Sequence, residues 1–145
     1  MNTVLGKFTL TALLAFPASL FGWSGWLVVL VILCAAADWL TGSAAAAKQG
    51  QWCSAKAKEG IFGKLGMFLA IGAAALFDIL LHFITVNLPI LELPFAYTTL
   101  LFPVVCIWYI CTELGSLIEN AGALGAPIPE FLKKAIALLK NKTEE

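Results

Sequence analysis

The sequence contains no arginine, a single histidine and few charged residues of any kind. Of its 145 residues, 12% are charged and 61% are hydrophobic, and the mean hydropathy is +0.92. A soluble domain typically has about 25% charged residues, and a globule this small cannot hide so much apolar surface from water. The composition therefore predicts an integral membrane protein. It carries no signal for a nucleic-acid partner.

Paired cysteines and a histidine-centred site are also lacking. Cys34, Cys53, Cys106 and Cys111 show no paired spacing, and we interpret them as small apolar side chains. His82 has no second imidazole with which to form a metal site. No nucleophile accompanies it in a hydrolytic arrangement. We therefore predict that the protein is not an enzyme and has no metal and no cofactor.

Long apolar segments make up most of the chain. A helix needs roughly 20 residues to cross a hydrocarbon core of about 30 Å. Residues 26–47, 65–86 and 95–118 meet this requirement, whereas residues 4–21 are short, contain Pro17 and could span or lie in the interface. The prediction is a single all-α membrane domain with three or four transmembrane helices and a short amphipathic C-terminal helix.

The distribution of lysines predicts the orientation of the chain in the membrane. Lysines occur in the hydrophilic loop 48–64 and in the tail 119–145, whereas the connection 87–94 has none. By the positive-inside rule, the loop and the tail face the cytoplasm and the connection faces outward. From Glu130 onward the tail predicts an amphipathic helix on the inner leaflet. The lysines that set this topology are Lys48, Lys56, Lys58, Lys64, Lys133 and Lys134.

Small side chains recur at spacings that allow helices to approach closely. Gly42 and Ala46 are four residues apart in the first confident span, and a series with the same spacing begins at Gly66 in the next. Such faces favour helix association in lipid. The residues predicted to pack helices together are Ala35, Ala46, Gly66, Ala70 and Ala74.

Polar side chains lie within the spans and share helix faces. Glu113, Ser116 and Asn120 recur at i, i+3 and i+7, shortly before the helix-ending Gly125. A carboxylate facing lipid costs about 2 to 4 kcal/mol, so it normally faces a partner helix, a water-filled space or the interface. Both polar segments run toward the lysine-bearing side, and we expect them to meet there, within or between subunits. The residues predicted to make this contact are Asp38, Thr41, Gly42, Glu113, Ser116, Glu119 and Asn120.

Asp78 and His82 form a further polar pair, at i and i+4 of the span 65–86. If they faced water, they could relay protons or respond to pH. Alternatively, they mark the end of the helix near the outer interface, and we favour this interpretation.

Three motifs occur in a characteristic order: D-W-L-T-G from Asp38, E-L-G-S-L-I-E-N from Glu113 and G-A-P-I-P from Gly125. Over residues 26–135, this order resembles the toxin-secretion and phage-lysis holin family of small membrane proteins. The resemblance implies a homo-oligomer that accumulates in the bacterial cytoplasmic membrane. It also implies lesions through which a cell-wall hydrolase (an endolysin) or a large toxin leaves the cell. The polar residues listed above, from Asp38 to Asn120, would then line the lesion. Alternatively, they only anchor the helix ends at headgroup depth.

Two functions from other classes remain open at the level of sequence. A small proton-coupled transporter could use Glu113 as the residue that alternates between proton and substrate. The crowding of polar groups at one end of the spans speaks mildly against this. A non-conducting accessory subunit would only bind another membrane protein.

Overall fold

The computed structural model describes residues 22–88 and 99–141. The possible span 4–21 and most of the connection 87–94 lie outside these residues. A 3-10 turn precedes four helices: α1 (Gly25–Lys48), α2 (Ser54–Asn87), α3 (Leu101–Leu124) and α4 (Glu130–Asn141). Three of these, α1 to α3, are long and apolar enough to cross a membrane, and the described ranges contain no strand. The all-α prediction, with its short C-terminal helix, is confirmed.

The beginning of α2 corrects the predicted loop 48–64. The helix already starts at Ser54, so only residues 49–53 separate it from α1. Alanine, lysine and glutamate are strong helix formers, and they are frequent in the basic segment. Hydropathy identifies only the segment of a helix that can lie in lipid, and the helix itself can extend beyond that segment. The predicted loop is therefore mostly the first turns of α2.

The bounds of α3 also differ from the predicted span 95–118. The helix begins at Leu101 and continues to Leu124, so the polar residues Glu113, Ser116 and Asn120 all lie inside it. It ends where Gly125 adopts a left-handed conformation with φ of +102°. There the amides of Gly125 and Ala126 donate to the carbonyls of Gly122 and Ala121, both at 2.9 Å. This is a glycine-terminated helix end, a conformation that few other residues adopt without strain.

The three spanning helices pack unequally. The most extensive interface is between α1 and α3, while α2 packs mainly on α3 and has little contact with α1. The core where they meet consists of Val31, Ala35, Met67, Ile71, Ala75, Phe102 and Cys106. The bundle is therefore an α1–α3 pair with α2 laid against it.

The predicted small-residue faces contribute unequally to packing within the chain. Ala35 and Ala74 are buried, and Ala46 and Ala70 are half-buried. Gly66 is exposed, and a Cβ placed on it would meet nothing within 4 Å. Gly66 is exposed because α2 packs on its neighbours through the face that carries Met67, Ile71 and Ala75. Gly66 points away from that face.

Large apolar side chains cover much of the outer surface of the bundle. Examples that are more than half exposed are Leu33, Leu69, Leu76, Phe83 and Val104. Exposed apolar patches this large are rare on soluble monomers. They fit a hydrocarbon environment, where the apolar surface meets lipid rather than water.

Helix α4 folds back toward α3 through one of its faces. Ile136 is buried, and its side chain lies 4.0 Å from the position that a Cβ on Gly115 would occupy. Phe131 and Leu138 remain exposed on another face. Lys133 forms an ion pair at 3.0 Å with Glu130 in the first turn.

Candidate functional site: an ion-pair cluster between the spanning helices

Lys64 of α2 joins the carboxylates of the other two spanning helices. Its Nζ lies 2.9 Å from Oδ2 of Asp38 on α1 and 2.5 Å from Oε2 of Glu113 on α3. The three side chains are 18%, 20% and 11% exposed, respectively. We call Asp38, Lys64 and Glu113 the ion-pair cluster. Because it draws one charged group from each spanning helix, it forms only when all three helices are together.

The amide of Asn120 extends the ion-pair cluster along α3. Its Nδ2 donates to Oδ1 of Asp38 at 2.9 Å and to Oγ1 of Thr41 at 3.1 Å. The Thr41 hydroxyl in turn donates to the carbonyl of Ala37 at 2.8 Å, which leaves its oxygen free to accept. Both carboxylate oxygens of Asp38 thus have partners, one on each neighbouring helix. These bonds satisfy polar groups that would otherwise be costly to bury between the helices.

Gly42 provides the space that Asn120 needs. A Cβ at position 42 would lie 3.4 Å from Nδ2 of Asn120, which is a tight contact. The D-W-L-T-G motif therefore offers Asn120 of α3 a carboxylate and a hydroxyl as acceptors. Its glycine leaves the space that the amide occupies. The structure brings Asp38, Thr41, Gly42 and Asn120 together within a single chain.

We expect Gly42→Val to lower the free energy of unfolding by about 1–3 kcal/mol, because the branched side chain displaces Asn120 and leaves buried groups unpaired. Gly42→Ala should change it by less than about 1 kcal/mol, since alanine favours helix and its Cβ just fits. Unfolding of the purified protein by a denaturing detergent measures both. Gly63→Val is the matched control, because nothing lies within 4 Å of a Cβ there. Equal stability of the two valine variants would contradict the assigned role of Gly42.

Ser116 and Glu119 complete the set of residues predicted to make the contact on α3. Ser116 is half-buried on α3, and Glu119 is exposed. Glu119 instead lines a groove between α3 and α4, together with Lys133. Glu113 and Asn120 thus contact the other spanning helices, whereas Glu119 lines the groove beside α4.

Two of the lysines predicted to set the topology, Lys64 and Lys48, have partners on other spanning helices. Lys64 completes the ion-pair cluster, and Nζ of Lys48 donates to the carbonyl of Leu124 at 2.6 Å. A cation suits the C-terminal end of a helix, where carbonyls are unpaired. Lys56, Lys58, Lys133 and Lys134 are exposed. A signal for Lys64 existed in the sequence, since two acids within spans require a nearby countercharge.

Asp78 binds the beginning of α3. Its carboxylate accepts hydrogen bonds from the backbone amides of Leu100, Leu101 and Phe102 at 3.2, 2.9 and 2.7 Å. The next residue, Pro103, has no N–H. The first-turn amides that lack partners within a helix are therefore all accounted for. Leu100 makes no side-chain capping bond, so an acid from another helix takes the place of the usual N-cap.

This contact corrects the interpretation of Asp78 as the mark of a helix end. Asp78 is 2% exposed and lies within α2, which continues to Asn87. A carboxylate is favoured there because the helix dipole and three amide donors stabilise its charge. His82, one turn further along α2, is exposed.

Lys64 and Asp78 together hold α2 against α3 at two levels. At 1.5 Å per residue they lie about 21 Å apart along α2. Lys64 is a cation bound to a carboxylate of α3, and Asp78 is an anion bound to backbone amides of α3. We refer to these as the two polar contacts of α2.

The chemistry available to the ion-pair cluster is electrostatic. It contains two carboxylates and one ammonium group, and none of its members is arranged as a nucleophile beside a base. Over residues 22–88 and 99–141, no group of three or more histidine, cysteine, aspartate or glutamate side chains could hold a metal ion. The cysteines of this part of the chain are free thiols.

Three spanning helices joined through a shared ion-pair cluster define a small multi-span membrane protein. Residues 15–141 match the model of the bacteriophage holin family, and the chain belongs to this family. The resemblance drawn from the ordered motifs is thereby confirmed.

Several relatives cover much of the chain. An uncharacterised protein of Halalkalibacterium halodurans is 33% identical, over 93% of each sequence. An uncharacterised protein of Clostridium perfringens is 32% identical, over 88% of this chain and 87% of its own length. An uncharacterised 14.9 kDa protein in the nagH 3′ region of Clostridium perfringens is 34% identical, over 72% of this chain and 70% of its own length. No solved structure matches this chain.

Proposed function

We propose that the chain forms homo-oligomers in the bacterial cytoplasmic membrane and opens lesions through which an endolysin or a large toxin leaves the cell. The end of the bundle with the 49–53 loop, and with it the C-terminus, faces the cytoplasm in this proposal. The observation that carries it is the ion-pair cluster. Its charges are tolerated at low dielectric only while the three helices stay together, so separated helices would need water around them.

The unequal packing of the helices suggests which element moves. Because α1 and α3 share the most extensive interface, we propose that they stay together and α2 moves away. Lys64 then leaves Asp38 and Glu113, whose carboxylates face water in the open assembly. Neighbouring copies would replace the contacts of α2, and the polar face of α3 would line the lesion.

Inducing expression in a bacterial host while recording membrane potential and release of a cytoplasmic enzyme tests this proposal. We expect depolarisation followed by release of the enzyme. At equal protein levels, Glu113→Gln should make depolarisation begin earlier, because a neutral amide binds Lys64 less strongly than a carboxylate does. The matched control is Glu59→Gln, which neutralises an exposed carboxylate on α2.

The same recordings separate the competing functions. A proton-coupled transporter would change resistance to a toxic substrate without release of protein, and an accessory subunit would cause neither effect. Either result would overturn the lesion proposal. An onset that stays the same in both glutamine variants would remove the ion-pair cluster from the mechanism.

A further inference from the structure

A groove runs between α1 and α2 on the side that α3 leaves open. Near the loop end it has a volume of about 190 Å³ and is lined by Ser43, Gln51, Trp52, Lys56 and Gly60, among others. It continues into a second part of about 280 Å³, lined by Ile32, Ala36, Ile61, Leu65 and Phe68. Trp39 and Lys64 line both parts. We propose that this groove binds one phospholipid with an anionic headgroup.

The groove exists because the small residues Ser43, Ala46 and Gly60 leave space between α1 and α2 unfilled. Trp39 of α1 reaches α2, where its Nε1 donates to the carbonyl of Ala57 at 3.3 Å. A Cβ on Gly60 would lie 3.7 Å from Cδ1 of the same ring. Trp39 therefore lies at the boundary between the polar part and the apolar part of the groove.

The polar part suits a phosphate group. Its charged lining residues are Lys56, Lys64 and Asp38, two cations against one anion. Lys64 is already bound to two carboxylates, so the exposed Lys56 is the cation that meets the ligand. Trp52 is 54% exposed at the same level, and tryptophan is enriched at headgroup depth. Basic pockets between spanning helices are suited to lipid headgroups.

The apolar part suits an acyl chain. Apart from Lys64 its lining residues are aliphatic, aromatic or alanine. The charged and polar side chains therefore concentrate at the loop end, and the lining becomes almost wholly apolar further along, in the same order as the parts of a phospholipid. A helix from a second copy is about 10–12 Å across with its side chains, too wide to enter a groove of this volume. A single acyl chain is narrow enough.

Native mass spectrometry of the full chain, released from detergent micelles, tests the proposal. The probes are phosphatidylglycerol and phosphatidylcholine with identical acyl chains. We expect one phosphatidylglycerol retained per chain and weaker retention of phosphatidylcholine. Lys56→Gln should weaken phosphatidylglycerol binding about fivefold, the loss expected for one lysine near an anionic headgroup. Lys58→Gln is the matched control, because Lys58 is exposed but does not line the groove.

A second pair of variants tests the apolar part. Ala36→Phe fills the space for the acyl chain and should weaken binding of both lipids. Ala44→Phe places the same ring on an exposed position of α1 outside the groove and should not. Circular dichroism checks that each variant keeps its helical content.

Equal retention of the two lipids by the wild-type chain would overturn the proposal, whether or not any variant folds. It would also be overturned if Ala36→Phe changed the oligomeric state and left lipid retention intact, because the groove would then take a second copy. The measurement uses purified protein and requires no lesion. Failure of the proposed release function would therefore leave this result standing, and the reverse also holds.

Discussion

Replacing Lys64 with glutamine is expected to lower the free energy of unfolding by about 3–5 kcal/mol, the range found when one partner of a buried ion pair is removed. The variant would leave the carboxylates of Asp38 and Glu113 facing each other with little access to water. Each is at most one-fifth exposed. Their repulsion acts at low dielectric, where it is weakly screened.

Unfolding in a denaturing detergent, monitored by circular dichroism, measures this loss of stability. Lys58→Gln is the matched control, because it removes an exposed lysine from the same helix. Adding Glu113→Gln to the Lys64→Gln variant should restore part of the stability, since it removes one of the two facing charges. The double variant should thus be more stable than the sum of the single effects implies. Strict additivity, or a Lys64→Gln variant as stable as the control, would contradict the ion-pair assignment.

Asp78→Ala is expected to lower the free energy of unfolding by about 3 kcal/mol or more, because it leaves three amides at the beginning of α3 without acceptors. An unsatisfied buried donor costs about 1–3 kcal/mol. Asp78→Asn should cost less, since its side-chain oxygen still accepts a hydrogen bond, although without a charge to interact with the helix dipole.

Hydrogen exchange locates the effect of Asp78→Ala in the chain. The amides of Leu100, Leu101 and Phe102 should lose protection, while those in the middle of α1 should lose less. Glu59→Ala serves as the control because Glu59 is an exposed acid on the same helix. Undiminished protection at Leu101 and Phe102 would show that Asp78 does not cap α3.

The three spans could be predicted because hydropathy over about 20 residues reports directly on suitability for lipid. The meeting of Asp38 with Asn120 could also be anticipated, since both segments run toward the same lysine-bearing side. The early start of α2 at Ser54 could not be read from hydropathy, because helix propensity there is high whereas hydrophobicity is low.

The partners of Lys64 and Asp78 depend on information that a one-dimensional pattern does not contain. Whether Lys64 points at two other helices depends on its rotation about the axis of α2, which is set by the packing of α2 on α3. Asp78 binds backbone amides, which every residue type except proline has. Its partner therefore cannot be predicted from a pattern of side chains. The motif Leu100-Leu101-Phe102-Pro103 did contain a hint, since it begins a helix with no capping side chain of its own.

The two polar contacts of α2 have a consequence for how the bundle comes apart. One helical turn of sliding is about 5.4 Å, far more than a hydrogen bond tolerates, so any such slip of α2 along α3 breaks both contacts at once. No halfway alignment retains either of them. We therefore expect α2 to have a single stable register on α3. A membrane that contains many such chains should then become permeable abruptly rather than gradually.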